Sequence, residues 1–170
     1  SNLIVKEDWK SIDSNCEHQP RIAKRWSVAY GFFDGTYDSR LLPIHLICAC
    51  RSAPKSSFES IINAYQDGLK MPESVYDRLP LHIACLNNAS FEVIELLLSY
   101  YVYGARKQDN EGRLPLHYAL SNMASTEVIE ALINAFPEGA TTADIRGWYP
   151  IHVACYYGSS TEVMKLLLRN

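Results

Sequence analysis

Apolar residues in this chain recur at helical spacing in short blocks, with small or polar residues between the blocks. Val128, Ile129, Leu132, Ile133 and Phe136 lie on one face of a helix, and Val93, Ile94, Leu97 and Leu98 draw the same stripe 35 residues earlier. Each stripe predicts an amphipathic helix, named helix B here. It runs through SFEVIELLLSY (90–100), STEVIEALINAF (125–136) and STEVMKLLLRN (160–170), with a weaker copy, PKSSFESIINAY, at 54–65. A shorter apolar phrase precedes each one: LLPIHLIC (41–48), RLPLHIAC (78–85), RLPLHYAL (113–120) and WYPIHVAC (148–155). Its prolines, Pro43, Pro80, Pro115 and Pro150, are spaced 37, 35 and 35 residues apart.

The shorter phrase predicts helix A. Proline has no N–H to lose in the first turn of a helix, so Pro-Leu/Ile-His is a helix start. Four residues after the proline come Ala84, Ala119 and Ala154, small enough for a second helix to approach closely; the first copy has Ile47 instead. Ser90, Ser125 and Ser160 are placed to cap helix B, and Glu92, Glu127 and Glu162 suit the positive end of its dipole. Gly104 and Gly139 are expected to end helix B. Asp109 with Gly112, and Asp144 with Gly147, then make a tight turn into the next proline. The first two copies carry Arg40 and Asp77 where the others have the turn glycine. Aspartate tolerates a left-handed backbone and arginine does so poorly, so the first turn is expected to be distorted. Two short helices and a turn cannot bury a core alone, but stacked neighbours can, which predicts an all-α solenoid.

The repeat resembles the ankyrin repeat, whose signature is D-x-x-G-x-T-P-L-H-x-A. Asp109 through Ala119 matches it with Leu114 in place of Thr, and Asp144 through Ala154 matches with Tyr149 there. The likeness covers about residues 37–170. The period exceeds the usual 33, through a longer A–B turn and a longer exit from helix B. The expected organisation is an N-terminal cap or degenerate repeat (1–36), then repeats at 37–73, 74–108, 109–143 and 144–170, the last uncapped. Within 1–36, a helix is expected near Glu7–Cys16. Ile22, Trp26 and Tyr30 fall on one helical face, and Gly31 precedes Pro43 as Gly68 precedes Pro80. At the other end Val163, Met164, Leu167 and Leu168 carry no polar cover, so further repeats, a capping segment or a partner is expected there.

Composition narrows the function. The 170 residues carry 16 Lys and Arg against 19 Asp and Glu, a net charge of −3 that argues against a general nucleic-acid binder. No apolar run is long enough to span a bilayer, so no direct membrane insertion is expected. Five cysteines, Cys16, Cys48, Cys50, Cys85 and Cys155, mostly inside apolar helical patterns, read as reduced thiols of the cytoplasm or nucleus. His-x-x-Cys occurs at His45/Cys48, His82/Cys85 and His152/Cys155, but each pair offers two ligands where structural zinc takes four. The third repeat has Leu120 at the Cys position, which fits packing. The family resemblance implies that this His hydrogen-bonds neighbouring turn backbone. Asn88-Ala89-Ser90 fits a glycosylation triplet, but Ser90 is better explained as a helix cap. No nucleotide, protease or redox motif occurs. No enzymatic activity, cofactor or metal is expected.

The resemblance implies a protein–protein interaction module, an adaptor or scaffold, contacting its partner through turn tips and the outer side of helix A. Carried onto this sequence, those positions include Tyr76, Arg78 and Asn87; Glu111, Arg113 and Asn122; and Arg146, Trp148, Tyr156 and Tyr157. Trp, Tyr and Arg are the residues enriched in binding hot spots, which singles out the last repeat. The competing readings are that its aromatics pack on further sequence, and that the chain is a structural subunit, or a regulatory or targeting segment of a larger assembly or multidomain enzyme.

Overall fold

The computed structural model describes residues 8–30 and 38–169. After α1 (Trp9–His18), a 3-10 turn (Pro20–Lys24) and the strands β1 (Ser27–Tyr30) and β2 (Asp38–Leu41), four helix pairs follow. They are α2 (Pro43–Cys48) with α3 (Lys55–Ala64), α4 (Pro80–Leu86) with α5 (Phe91–Tyr100), α6 (Pro115–Ser121) with α7 (Thr126–Ala135), and α8 (Pro150–Tyr157) with α9 (Thr161–Leu168). Helix A of each pair stacks on helix A of the next, and helix B does the same. The expected all-α solenoid is the observed architecture, with one small antiparallel strand pair near its start.

Each A helix opens on its proline, and the first three are almost wholly buried, whereas α8 buries only Pro150, Val153 and Ala154. Ala84, Ala119 and Ala154 are fully enclosed, as is Ile47 in the first pair. In the last three pairs helix A ends through a left-handed residue eight positions after its proline: Asn88 (φ 55), Met123 (φ 52) and Gly158 (φ 74). The next N–H then returns to the enclosed alanine, Ala89 to Ala84 O at 3.0 Å and Ala124 to Ala119 O at 2.9 Å. At the turn position, Asp77 (φ 56), Gly112 (φ 72) and Gly147 (φ 78) are left-handed as expected.

Helix B departs from expectation at both ends. Only Ser160 caps through its hydroxyl, accepting from the Val163 N–H at 3.3 Å. The Ser90 hydroxyl turns to the Glu92 carboxylate and holds it below its ordinary value. Gly104 and Gly139 do not end the helix. Tyr101 and Phe136 do, at φ near −150, and the glycines sit one turn on, in the 3-10 helices Val102–Arg106 and Pro137–Thr141. There they are needed for closeness: a Cβ on Gly139 would stand 3.0 Å from the Phe136 ring and 3.3 Å from Leu114.

The start of the chain differs more. Arg40, expected in a strained turn, lies extended in β2, paired with Val28. Ile22, Trp26 and Tyr30 do not share a helix: they fall in the 3-10 turn, the segment after it and β1. The expected N-terminal helix is α1, which packs along α3 with Ile12 and Cys16 buried. Glu7 and Gly31 lie outside the described residues.

Buried histidines tie the stack together. In every helix A the ring Nδ1 accepts the N–H of the residue before the proline: Leu42 to His45 at 3.0 Å, Leu79 to His82 at 3.1 Å, Leu114 to His117 at 3.1 Å and Tyr149 to His152 at 3.2 Å. A neutral ring that accepts at Nδ1 carries its proton on Nε2. Nε2 donates to Met71 O (2.8 Å) from His45, to Lys107 O (3.0 Å) and Arg113 O (3.2 Å) from His82, and to Trp148 O (3.1 Å) from His117. Three rings thus bridge a helix start to the chain entering the next helix A.

Burial lowers the pKa of His45 and of His82 from 6.5 to about 4, against the hydrogen bonds from backbone, and lowers that of His117. A histidine whose folded pKa is depressed stabilises fully above its unfolded pKa, and that stability is lost as pH falls. Stability is therefore expected to fall between pH 6.5 and about 4, by up to roughly 3 kcal/mol per ring for His45 and His82. Urea unfolding midpoints across that range measure it, and His82→Gln should flatten the profile by one ring's share.

Candidate partner-binding face

The turn tips are built on buried carboxylates. Asp109 Oδ1 accepts the N–H groups of Glu111 and Arg113, both at 2.9 Å. Asp144 Oδ1 does the same for Arg146 and Trp148 at 2.9 Å. In the second repeat Glu73, fully buried, takes this role one residue earlier, accepting from Val75 (2.7 Å), Tyr76 (2.8 Å) and Arg78 (3.2 Å). Adjacent tips are then joined through backbone: Asn110 N–H to Tyr76 O at 3.0 Å and Ile145 N–H to Glu111 O at 3.1 Å. Burial works against the Asp144 charge, yet the N–H groups of Trp148 and Arg146 and the Arg113 guanidinium hold its carboxyl below the ordinary value.

Side-chain charges alternate across these tips. Arg78 donates through Nε to the Tyr118 hydroxyl at 3.0 Å, and that hydroxyl donates to Asp109 Oδ2 at 2.6 Å. Arg78 also lies 3.8 Å from Glu111, and its guanidinium sits 4.1 Å from the Tyr76 ring centre. Arg113 reaches Glu111 (3.7 Å) and Asp144 (3.4 Å), and Arg146 reaches Glu111 at 3.7 Å. Burial, and then donation to Asp109, push the Tyr118 phenol well up, so it stays a hydrogen-bond donor.

The ten expected contact residues divide. Arg113, Asn122, Arg146, Trp148, Tyr156 and Tyr157 line one groove of about 540 Å³ between the third and fourth repeats. Trp148 meets Tyr156 edge to face at 5.5 Å between ring centres, and Tyr156 meets Tyr157 at 5.1 Å. These three rings are 37%, 72% and 45% exposed. Tyr76, Asn87 and Glu111 are half-buried and do not line the groove. The Nδ2 groups of Asn87 and Asn122 turn back to their own helices, at Ile83 O (2.8 Å) and Tyr118 O (3.0 Å). Arg78 is a correction: expected on an open tip, it is buried, because Tyr118, Asp109 and Glu111 draw it under the tips.

Leu86 and Ser121, at the same offset from their prolines as Tyr156, line the groove as their positions imply, and Tyr118 lines it without having been foreseen. The sequence signal for Tyr118 was a phenol where the other copies carry Leu46, Ile83 and Val153. Two expectations about chemistry also change. All five cysteines are thiols, but Cys155 is exposed where Cys48 and Cys85 are buried. Val163 and Leu167, expected to be uncovered, are buried against the stack, leaving Leu168 exposed and Met164 half-buried. Among the described residues no group of three or more His, Cys, Asp or Glu is placed to hold a metal ion. No described helix is long and apolar enough to cross a membrane.

Helix pairs stacked in register, with hydrogen-bonded turn tips along one edge, define a helix–turn–helix repeat protein. The chain belongs to the ankyrin-repeat family: the profile described as "Ankyrin repeats (3 copies)" matches residues 46–142, and that described as "Ankyrin repeat" matches residues 146–170. No curated protein matches the chain. Proteins of this family are in general protein–protein interaction modules and typically non-catalytic.

Tyr118→Phe leaves Asp109 Oδ2 and Arg78 Nε without the hydroxyl between them, a loss of about 1–3 kcal/mol expected for buried charged partners. Arg146→Ala, at a side chain 65% exposed, should cost under about 0.5 kcal/mol. Urea unfolding of the two variants beside the parent measures the contrast.

Proposed function

We propose that this chain is an adaptor or scaffold module that grips a segment of another protein in the groove between its third and fourth repeats. The observation that carries this reading is the run of Trp148, Tyr156 and Tyr157, three exposed rings in mutual contact along one wall, with Arg146 and Arg113 beside them. An exposed aromatic cluster of this kind needs a reason, and Trp, Tyr and Arg are the residues that anchor interfaces. Buried carboxylates fix the backbone that carries Arg146 and Trp148, so the wall is preorganised and binding orders little.

Arginines and carboxylates alternate along the tips, which favours a partner segment of mixed charge with an apolar anchor over a polyanion such as nucleic acid. On this reading Arg146, Arg113 and Glu111 steer and register the partner while the rings supply affinity. Tyr76 extends the face towards the second repeat, and Arg78 supports it from beneath. The N-terminal cap is supplied by α1, which packs along α3. The module performs no catalysis and takes no cofactor. We place it in the cytoplasm or nucleus, where five thiols stay reduced.

The test is capture from extract of the source cells by the parent chain and by a Trp148→Ala, Tyr156→Ala, Tyr157→Ala variant, both shown folded by circular dichroism, followed by titration of the captured protein. The variant should bind at least about tenfold more weakly. Equal binding by both would remove the groove from consideration.

A further inference from the structure

The chain leaves α1, α3 and α5 through the short 3-10 elements Pro20–Lys24, Gln66–Lys70 and Val102–Arg106. The first packs on α3, the second on α5 and the third on α7, so the three succeed one another along one edge of the stack. Each ends on a cation: Lys24, Lys70 and Arg106. Residues 20–25, 66–71 and 102–107 also hold Arg21, Arg25 and Lys107. All six cations are exposed, and they face one carboxylate, Asp67. The rest of the chain carries ten cations against 18 carboxylates. The repeat does not require this charge, for the next such element, Pro137–Thr141, ends on Thr141 and contains Glu138.

Tyrosines stand between the cations. Lys24 Nζ lies 5.3 Å from the centre of the Tyr65 ring, and the Arg106 guanidinium lies 4.5 Å from that of Tyr103. Tyr101 and Tyr103 meet at 6.4 Å between ring centres. Lys70 donates to Asp67 at 2.7 Å, and Lys70, then Lys24, hold that carboxyl below its ordinary value, so the first two elements share one field. Val102 and Tyr103 are 45% and 56% exposed. None of these residues lines the groove between the third and fourth repeats. The strip is also narrow. Beside it the outer faces of α5 and α7 present Glu92, Glu95, Glu127 and Glu130, and neither helix carries a cation.

We infer that this basic strip binds an extended acidic segment of a protein partner. Cations gathered on one edge of an acidic molecule attract an anion and suppress cationic partners. Width decides which anion. A lipid surface or a nucleic-acid duplex is broad enough to meet the glutamates of α5 and α7, whereas one extended chain follows the basic edge alone. Single-stranded nucleic acid binds by stacking bases on open rings, and Lys24 and Arg106 lie over Tyr65 and Tyr103. Stacked helices stand about 8–10 Å apart, and an extended or polyproline chain rises about 3.1–3.4 Å per residue. A carboxylate at every third residue therefore meets one cation per repeat, Lys24, Lys70 and Arg106 in turn. Val102 and Tyr103 receive apolar side chains between the carboxylates. The strip is separate from the groove and works without it.

The test is fluorescence anisotropy of labelled peptides on the full chain at low salt. One peptide carries glutamate at every third position, and its isomer carries the same glutamates in one block. The spaced peptide should bind about fivefold or more tightly than the isomer, and added salt should weaken it. Lys24→Gln, Lys70→Gln, Arg106→Gln, all at exposed positions and shown folded by circular dichroism, should weaken it about tenfold. The Trp148→Ala, Tyr156→Ala, Tyr157→Ala variant should bind it as the parent does. Unchanged affinity in the Gln variant, or equal affinity for both isomers, would overturn the inference. So would loss of binding in the aromatic variant, which would put the peptide in the groove. Tighter binding of phosphatidylserine vesicles or a single-stranded oligonucleotide through the same three cations would overturn the class of partner.

Discussion

The buried histidine in each of the first three A helices is the constraint on which the stack depends. It has one nitrogen for its own repeat and one for the next. Nδ1 accepts the N–H just ahead of the proline, a group with no other partner in the helix, and Nε2 then holds the proton that bridges to the following chain. The ring must be neutral to do both, and burial keeps it so. Local helix capping and coupling between repeats are thus carried by one side chain, and the register of the solenoid follows from where that ring can reach. The buried turn carboxylates, Asp109 and Asp144, complete the frame by holding the receiving backbone in place.

Much of the fold was legible because a repeat states its pattern several times. Proline starts, apolar stripes and enclosed alanines are each tied to one backbone requirement, so residue type and structure correspond closely. Legibility failed where one residue type answers to two requirements. Gly104 and Gly139 signalled a helix end but serve close packing beneath Tyr101 and Phe136. Ser90 suggested a cap, yet Glu92 two positions on draws its hydroxyl away. Met123 gives no hint of the left-handed backbone that it adopts, since it occupies in this copy the place that Gly158 fills in the next. Before Pro43 the pattern gives out, and the strand pair had no periodic signal long enough to read.

The groove was legible in part for a similar reason. Tip and helix-end positions are set by the repeat, so Arg113, Asn122, Arg146, Trp148, Tyr156 and Tyr157 converge as their offsets from the prolines require. Arg78 holds the same offset as Arg113 and Trp148 but is buried, because Tyr118 from the next repeat binds it. That contact crosses 40 residues of sequence and depends on one phenol replacing an aliphatic residue. Offsets alone do not carry such information. The buried Arg78–Tyr118–Asp109 chain stiffens the tips, so the exposed rings stand on a fixed support.

The most direct test of this account is the protonation state of the histidine rings, read by long-range proton–nitrogen correlation NMR at neutral pH. The structure requires His45, His82 and His117 to be neutral with the proton on Nε2. Rings that are charged, or that carry the proton on Nδ1, would contradict it, for neither form can both accept from its own helix start and donate to the next repeat.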